Sequence, residues 1–95
     1  MSQAVVKYRM NVAGVVQGVG FRYMTKILAD EMGINGTVKN EMDGSVTIEA
    51  VGEYSIMSIF IERVKASPAP FGKVKKFTIE KDMGMPDYTS FNVIY

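Results

Sequence analysis

The chain contains no cysteine and no histidine. Without cysteine there is no disulfide, no thiol nucleophile and no sulfur ligand for a metal. Without histidine there is no imidazole base for a Ser-His-Asp triad, no HExxH zinc site and no phosphohistidine chemistry. An excess of one charge sign is missing too: 11 Lys and Arg stand against 10 Asp and Glu, a net charge of +1. That balance supplies no field for gripping a long polyanion and argues against a nucleic-acid binder. No apolar run approaches the roughly 18 residues of a membrane span. Met1-Ser2-Gln3-Ala4 carries no signal-peptide core, so a cytoplasmic chain without a membrane partner is expected. Any catalysis must come from Arg, Lys, amides, hydroxyls, carboxylates and the backbone.

What is present is ordinary for a folded domain. The 95 residues are 47 % hydrophobic and 22 % charged, which excludes a disordered tail and fits one domain over residues 1–95. A chain of this size buries roughly 60–65 % of its extended surface, enough for a single core.

Periodicity orders the chain. Tyr8, Met10 and Val12 alternate with Lys7, Arg9 and Asn11, the pattern of a half-buried strand. After a glycine-bearing run, Phe21, Met24, Leu28 and Met32 share one helical face, and Gly33 is placed to close the helix. Residues 36–40 begin a second strand, Asp43-Gly44 signals a hairpin, and Val46, Ile48 and Ala50 form the return strand. Met57, Phe60, Ile61 and Val64 have the spacing of an amphipathic helix, which Ser67-Pro68-Ala69-Pro70 stops. Residues 74–80 read as a strand in which Val74 is out of phase with Phe77 and Ile79, predicting a bulge or a late start. Residues 82–87 read as a loop, and Phe91, Val93 and Tyr95 alternate in a short closing strand. The order is β-α-β-β-α-β with a short fifth strand. Two one-faced helices must pack on the same side of one sheet, expected to be antiparallel, which is the α+β ferredoxin-like plan. Many functions use that plan, so the fold decides nothing about activity.

Chemistry is sought first in the run Gly14-Val15-Val16-Gln17-Gly18-Val19-Gly20-Phe21-Arg22. It joins a strand to a helix N-terminus, where N–H groups lack helical partners and the dipole favours an anion. Glycines at 14, 18 and 20 allow the backbone to curl into a concave set of donors, and the planar fork of Arg22 can close over a phosphate from the side. The run lacks the third glycine of a dinucleotide fingerprint, and no Gly-Lys-Ser/Thr is present for a P-loop. On spacing alone the segment serves equally well as a tight turn whose glycines relieve crowding. Asn40 is the second candidate: beside that loop its amide could place a water over a bound anion, though Asn before a turn often bonds only its own backbone. Glu41 should point to the opposite face. Lys73, Lys75 and Lys76 form a small basic cluster suited to guarding an edge strand.

Residues 12–22, Val-Ala-Gly-Val-Val-Gln-Gly-Val-Gly-Phe-Arg, resemble the first signature of the acylphosphatases, and residues 36–46, Gly-Thr-Val-Lys-Asn-Glu-Met-Asp-Gly-Ser-Val, resemble the second. The resemblance spans the chain, with Gly52 and the ending Ser90-Phe91-Asn92-Val93-Ile94-Tyr95 in place. It implies a ferredoxin-like monomer that hydrolyses small acyl phosphates to a carboxylate and phosphate without metal or cofactor. In it Arg22 falls on the phosphate-binding arginine, Asn40 on the asparagine that orients the attacking water, and Gln17, Gly18, Val19, Gly20 and Phe21 on the loop whose amides hold the phosphate. Thr37 departs from the pattern, standing where an aromatic residue is usual and bearing on local stability and pocket shape.

The missing residues agree with that implication. An acyl phosphate expels a carboxylate whose conjugate acid has a pKa of about 4, so no general acid is needed. The loose transition state spreads charge over the equatorial phosphoryl oxygens, where amides and a guanidinium suffice. A non-catalytic anion-sensing domain would use the same nest. An RNA-binding sheet of the same topology would need exposed aromatics, whereas Thr47 and Glu49 occupy the non-core face of the return strand.

Overall fold

The alternation between Lys7 and Val12 lies inside a longer strand, β1 (Val5–Val15), in a computed structural model that describes residues 4–95. The other elements are α1 (Phe21–Met32), β2 (Asn35–Asn40), β3 (Val46–Glu53), α2 (Tyr54–Lys65), β4 (Lys73–Lys81) and β5 (Phe91–Ile94). Gly33 caps α1, its N–H turned back on the carbonyls of Ala29 and Asp30.

The strands form one sheet in the order β4-β1-β3-β2-β5. The expectation of an antiparallel sheet needs one correction, because β5 runs parallel to β2 and the sheet is mixed. The cause is topological. β4 and β5 lie at opposite edges, and residues 82–90 cross from the end where β4 finishes, which is the end where β2 begins. β5 must therefore run in the direction of β2. Gly36 N–H donates to the Ser90 carbonyl (2.9 Å), and Lys26 Nζ on α1 donates to the Phe91 carbonyl (2.8 Å), fixing where β5 starts.

Both helices cover one face of the sheet. The core between them joins Met10, Val12, Val38, Val46, Ile48 and Ala50 from the strands to Phe21, Leu28 and Ala29 of α1 and Met57, Phe60 and Val64 of α2. Phe60 meets Phe91 edge to face, with centroids 6.5 Å apart. Truncating a fully buried aromatic such as Phe60 to Ala costs about 3–5 kcal/mol.

The bulge inferred from Val74 is present. The β1–β4 register shifts between Ala13, opposite Lys76, and Gly14, opposite Val74, so Lys75 is the extra residue. The shift returns Val74 to the face of Phe77, where both pack on the core. Gly14 is crowded here: a Cβ would collide with the Lys73 carbonyl and the Lys75 nitrogen. The glycine thus serves strand pairing and lies outside the anion loop, which corrects its expected part in the nest. Lys73, Lys75 and Lys76 lie exposed on the edge strand, as the basic cluster suggested.

The opposite face of the sheet carries Lys7, Arg9 and Asn11 from β1 and Thr47, Glu49 and Val51 from β3, and the crossing segment lies against its lower half. Lys7 Nζ donates to the Met85 carbonyl (2.7 Å), Arg9 bonds Asp82, and the Tyr88 hydroxyl donates to Glu49. Val51 and Met85 are buried. No helix among the described residues is long and apolar enough to cross a membrane.

Candidate active site

Between β1 and α1 the chain turns within residues 16–20. Val16 is buried and anchors the start of the turn; Val19 packs on the core from its middle. Gly18 (φ 76°) and Gly20 (φ 78°) take the left-handed conformation on either side of Val19. A Cβ at either glycine would meet nothing within 4 Å, so backbone conformation and not crowding demands glycine there. Gly20 is also the N-cap of α1 and offers no side chain to its first turn.

The main-chain donors of this segment consequently stay open. Met24 N–H reaches the Gly20 carbonyl (3.0 Å), the first bond of α1. Among the described residues, no protein acceptor takes the N–H groups of residues 17–23. Donors without protein acceptors at the positive end of a helix, beside left-handed glycines, are chemically suited to an anion.

The loop borders a cavity of about 260 Å³ lined by Gln17, Gly18, Gly20, Phe21, Arg22 and Asn40, with Val16, Tyr23, Val93 and Tyr95 completing the wall. The structure thus brings Arg22, Asn40, Gln17, Gly18, Gly20 and Phe21 together. Val19 is the exception: its side chain turns into the core, leaving only its N–H to the loop. Phe21 lines the cavity although its side chain is buried.

Among the described residues of that wall, Arg22 is the one with a charged side chain. Among the described residues it forms no salt bridge. Its guanidinium carbon lies 5.2 Å from the centroid of the Tyr95 ring, a cation–π contact that leaves the edge N–H groups of the fork available.

Asn40 ends β2 in the phase of Val38, which turns it toward the helical side of the sheet. Its Oδ1 is buried and has no hydrogen-bond partner among the described residues. A buried amide oxygen left without a partner costs about 1–3 kcal/mol. Glu41 lines a hollow on the other face with Arg9, Thr37 and Glu49, as expected from strand alternation. Thr37 therefore bears on that face, and the shape of the Arg22 cavity does not depend on it.

Gln17 also does something its place in the loop did not announce. Its Nε2 donates to the carbonyls of Glu41 and Ser45, each at 2.9 Å, tying the loop to the β2–β3 hairpin. Neither this tie nor the Tyr95–Arg22 contact had a local signal, since each joins residues distant in sequence.

The displaced ionisations lie away from the cavity. Hydrogen bonds donated by Arg9 to Glu80, Asp82 and Glu49 raise the pKa of its guanidinium. The Ser45 hydroxyl and N–H hold the Asp43 carboxyl below its usual range. The bond to Glu49, helped by desolvation, pushes the Tyr88 hydroxyl up. Among the described residues no grouping of three or more His, Cys, Asp or Glu is arranged to hold a metal.

Comparison with known proteins converges on one family. The acylphosphatase family pattern matches residues 8–93. An acylphosphatase of Enterococcus faecalis is 51 % identical over 88 residues, covering 93 % of this chain and 97 % of that protein. One from Ligilactobacillus salivarius is 48 % identical over 88 residues with the same coverage. The crystal structure of acylphosphatase from Bacillus subtilis superposes with a TM-score of 0.90 at 37 % identity, over 97 % of this chain and all of the other. The chain belongs to the acylphosphatase family of enzymes.

Proposed function

We propose that this enzyme hydrolyses the carboxyl–phosphate bond of small acyl phosphates by direct attack of water on phosphorus. The observation that supports this most is the row of N–H groups around Gly18 and Gly20, without protein acceptors among the described residues, in a turn that borders the same cavity as the Arg22 and Asn40 side chains.

The phosphoryl oxygens sit on the N–H groups of residues 17–21, and the fork of Arg22 closes over them. The Tyr95 ring limits the swing of that fork. Asn40 holds a water opposite the acyl oxygen. The water oxygen forms a bond to phosphorus as the bond to the acyl oxygen breaks. The electron pair leaves with the carboxylate, and the water proton passes to a phosphoryl oxygen. Charge spreads over the equatorial oxygens in the transition state, where fixed N–H dipoles and a guanidinium stabilise it most. The departing carboxylate is a weak enough base to leave without a proton donor.

Every group in this mechanism comes from one chain, so a monomer suffices, and no step calls for a metal or cofactor. Turnover of benzoyl phosphate by wild type and Arg22→Ala tests the reading. Loss of one transition-state donor costs about 3–4 kcal/mol, so kcat/KM should fall by about 10²–10³ or more. A folded Arg22→Ala protein with wild-type turnover would refute it.

A further inference from the structure

The carbonyls that close the β2–β3 hairpin are each taken twice. Ser45 carbonyl accepts from Glu41 N–H (2.8 Å), and Glu41 carbonyl accepts from Gly44 N–H (3.2 Å). The second lone pair of each carbonyl goes to Gln17 Nε2, at 2.9 Å in both cases. A primary amide has two N–H donors, and both are spent here. Asn40 immediately precedes Glu41 in the chain. The hairpin is itself stiff: Asp43 Oδ1 accepts from Ser45 N–H and Oγ–H, and Asn11 Nδ2 donates to Ser45 Oγ (3.0 Å).

We infer that the Gln17 side chain is a positioning residue, a clasp that sets the distance between the anion loop and Asn40. This rests on the mechanism proposed above and goes beyond it, since that mechanism uses only the main chain of Gln17. Without the clasp, loop and hairpin remain intact but are joined less firmly across the cavity mouth. The water on Asn40 then loses its alignment with a phosphorus that is still bound. Reactions of this kind are sensitive to displacements of the order of 1 Å.

A double-mutant cycle with benzoyl phosphate tests the clasp, using wild type, Gln17→Ala, Asn40→Ala and the pair, with inhibition by inorganic phosphate measured for each. Gln17→Glu is carried alongside, keeping the side-chain shape while replacing both donors with an acceptor. Both Gln17 variants should lower kcat about three- to tenfold while phosphate inhibition stays within about twofold. With Asn40→Ala already present, removing Gln17 should change kcat by less than about twofold, because the residue it positions is gone. Full multiplication of the two losses, or weakened phosphate inhibition as the main effect, would overturn the clasp while leaving the mechanism standing. So would unchanged kcat in both Gln17 variants. Wild-type turnover in Asn40→Ala alone would instead sink the mechanism and the clasp with it.

Discussion

Arg9 and Arg22 occupy opposite faces of the same sheet and are treated oppositely by the fold. Each nitrogen of the Arg9 guanidinium meets a carboxylate, with Nε on Glu49 (3.1 Å), one terminal nitrogen on Glu80 (2.8 Å) and the other on Asp82 (2.8 Å). Arg22 has an aromatic ring beside it and forms no ion pair among the described residues. The contrast extends to their surroundings. Around Arg9, Lys7 is held by Met85 and Asp87, and Tyr88 by Glu49, so the polar groups are spent on fastening the crossing segment to the sheet. Around Arg22, among the described residues, the loop N–H groups have no protein acceptor and the buried Asn40 oxygen has no hydrogen-bond partner. Hydrogen bonds already made inside the protein contribute to stability; donors and acceptors held in place without partners are available to a ligand.

The sharpest way to break this comparison is to exchange the two losses. Arg22→Ala should lose about 10²–10³ in kcat/KM with a melting temperature close to wild type. Asn40→Ala should lower kcat by about tenfold to 10²-fold and leave inhibition by phosphate nearly unchanged, because the loop proposed to bind the anion is untouched. Arg9→Ala should do the reverse of both. It strands three carboxylates that share one cation. These pairs are partly exposed and screened, so the loss is about 1 kcal/mol, or about 4–8 °C in Tm, with kcat/KM within about twofold of wild type. An Arg9→Ala enzyme that melts normally but fails to turn over would erase the distinction.

Smaller effects sharpen it. The Tyr88 hydroxyl is held above its usual range by Glu49, so the folded state favours the protonated phenol. Its contribution is complete below the unfolded value of about 10 and is lost as pH rises through the higher folded value. The Tm difference between wild type and Tyr88→Phe, a few degrees at neutral pH, should therefore shrink on the alkaline side. A constant difference from pH 7 to the alkaline limit would rule out that linkage. On the Arg22 side, with no histidine to titrate, kcat should be nearly flat over about pH 5.5–7.5 and indifferent to a chelator. A bell-shaped profile or EDTA sensitivity would point to a group outside the proposed mechanism.

Much of the molecule could be read from its residues. Both helices and the hairpin follow from spacing and turn chemistry, and even the bulge was legible, because Val74 breaks the phase of Phe77 and Ile79. The direction of β5 was not, since it depends on which edges β4 and β5 occupy, a property of the whole sheet. Within the site, Gly18, Gly20 and Arg22 announced themselves as a glycine-bearing loop entering a helix. Gly14 looked like a third member of that set, but its close neighbour is a strand 59 residues further along the chain, Lys73, which no local pattern discloses. The Gln17 tie, the Tyr95 ring over Arg22 and the carboxylates around Arg9 are of the same kind. Periodicity reports which face a residue takes, not which distant residue it will meet there.

The placement of β1 has a kinetic consequence. β1 is an interior strand, hydrogen-bonded to β3 and β4, each of which lies beyond at least one helix in the chain. Only β2 and β3 join locally. Long loops must close before β1 gains its partners, which places the chain among the slower-folding small proteins, on a scale of milliseconds to seconds. The Arg22 loop hangs between β1 and α1 and takes its shape only once those distant pairings exist. Phosphate that binds the finished loop alone should retard unfolding and leave the refolding rate unchanged.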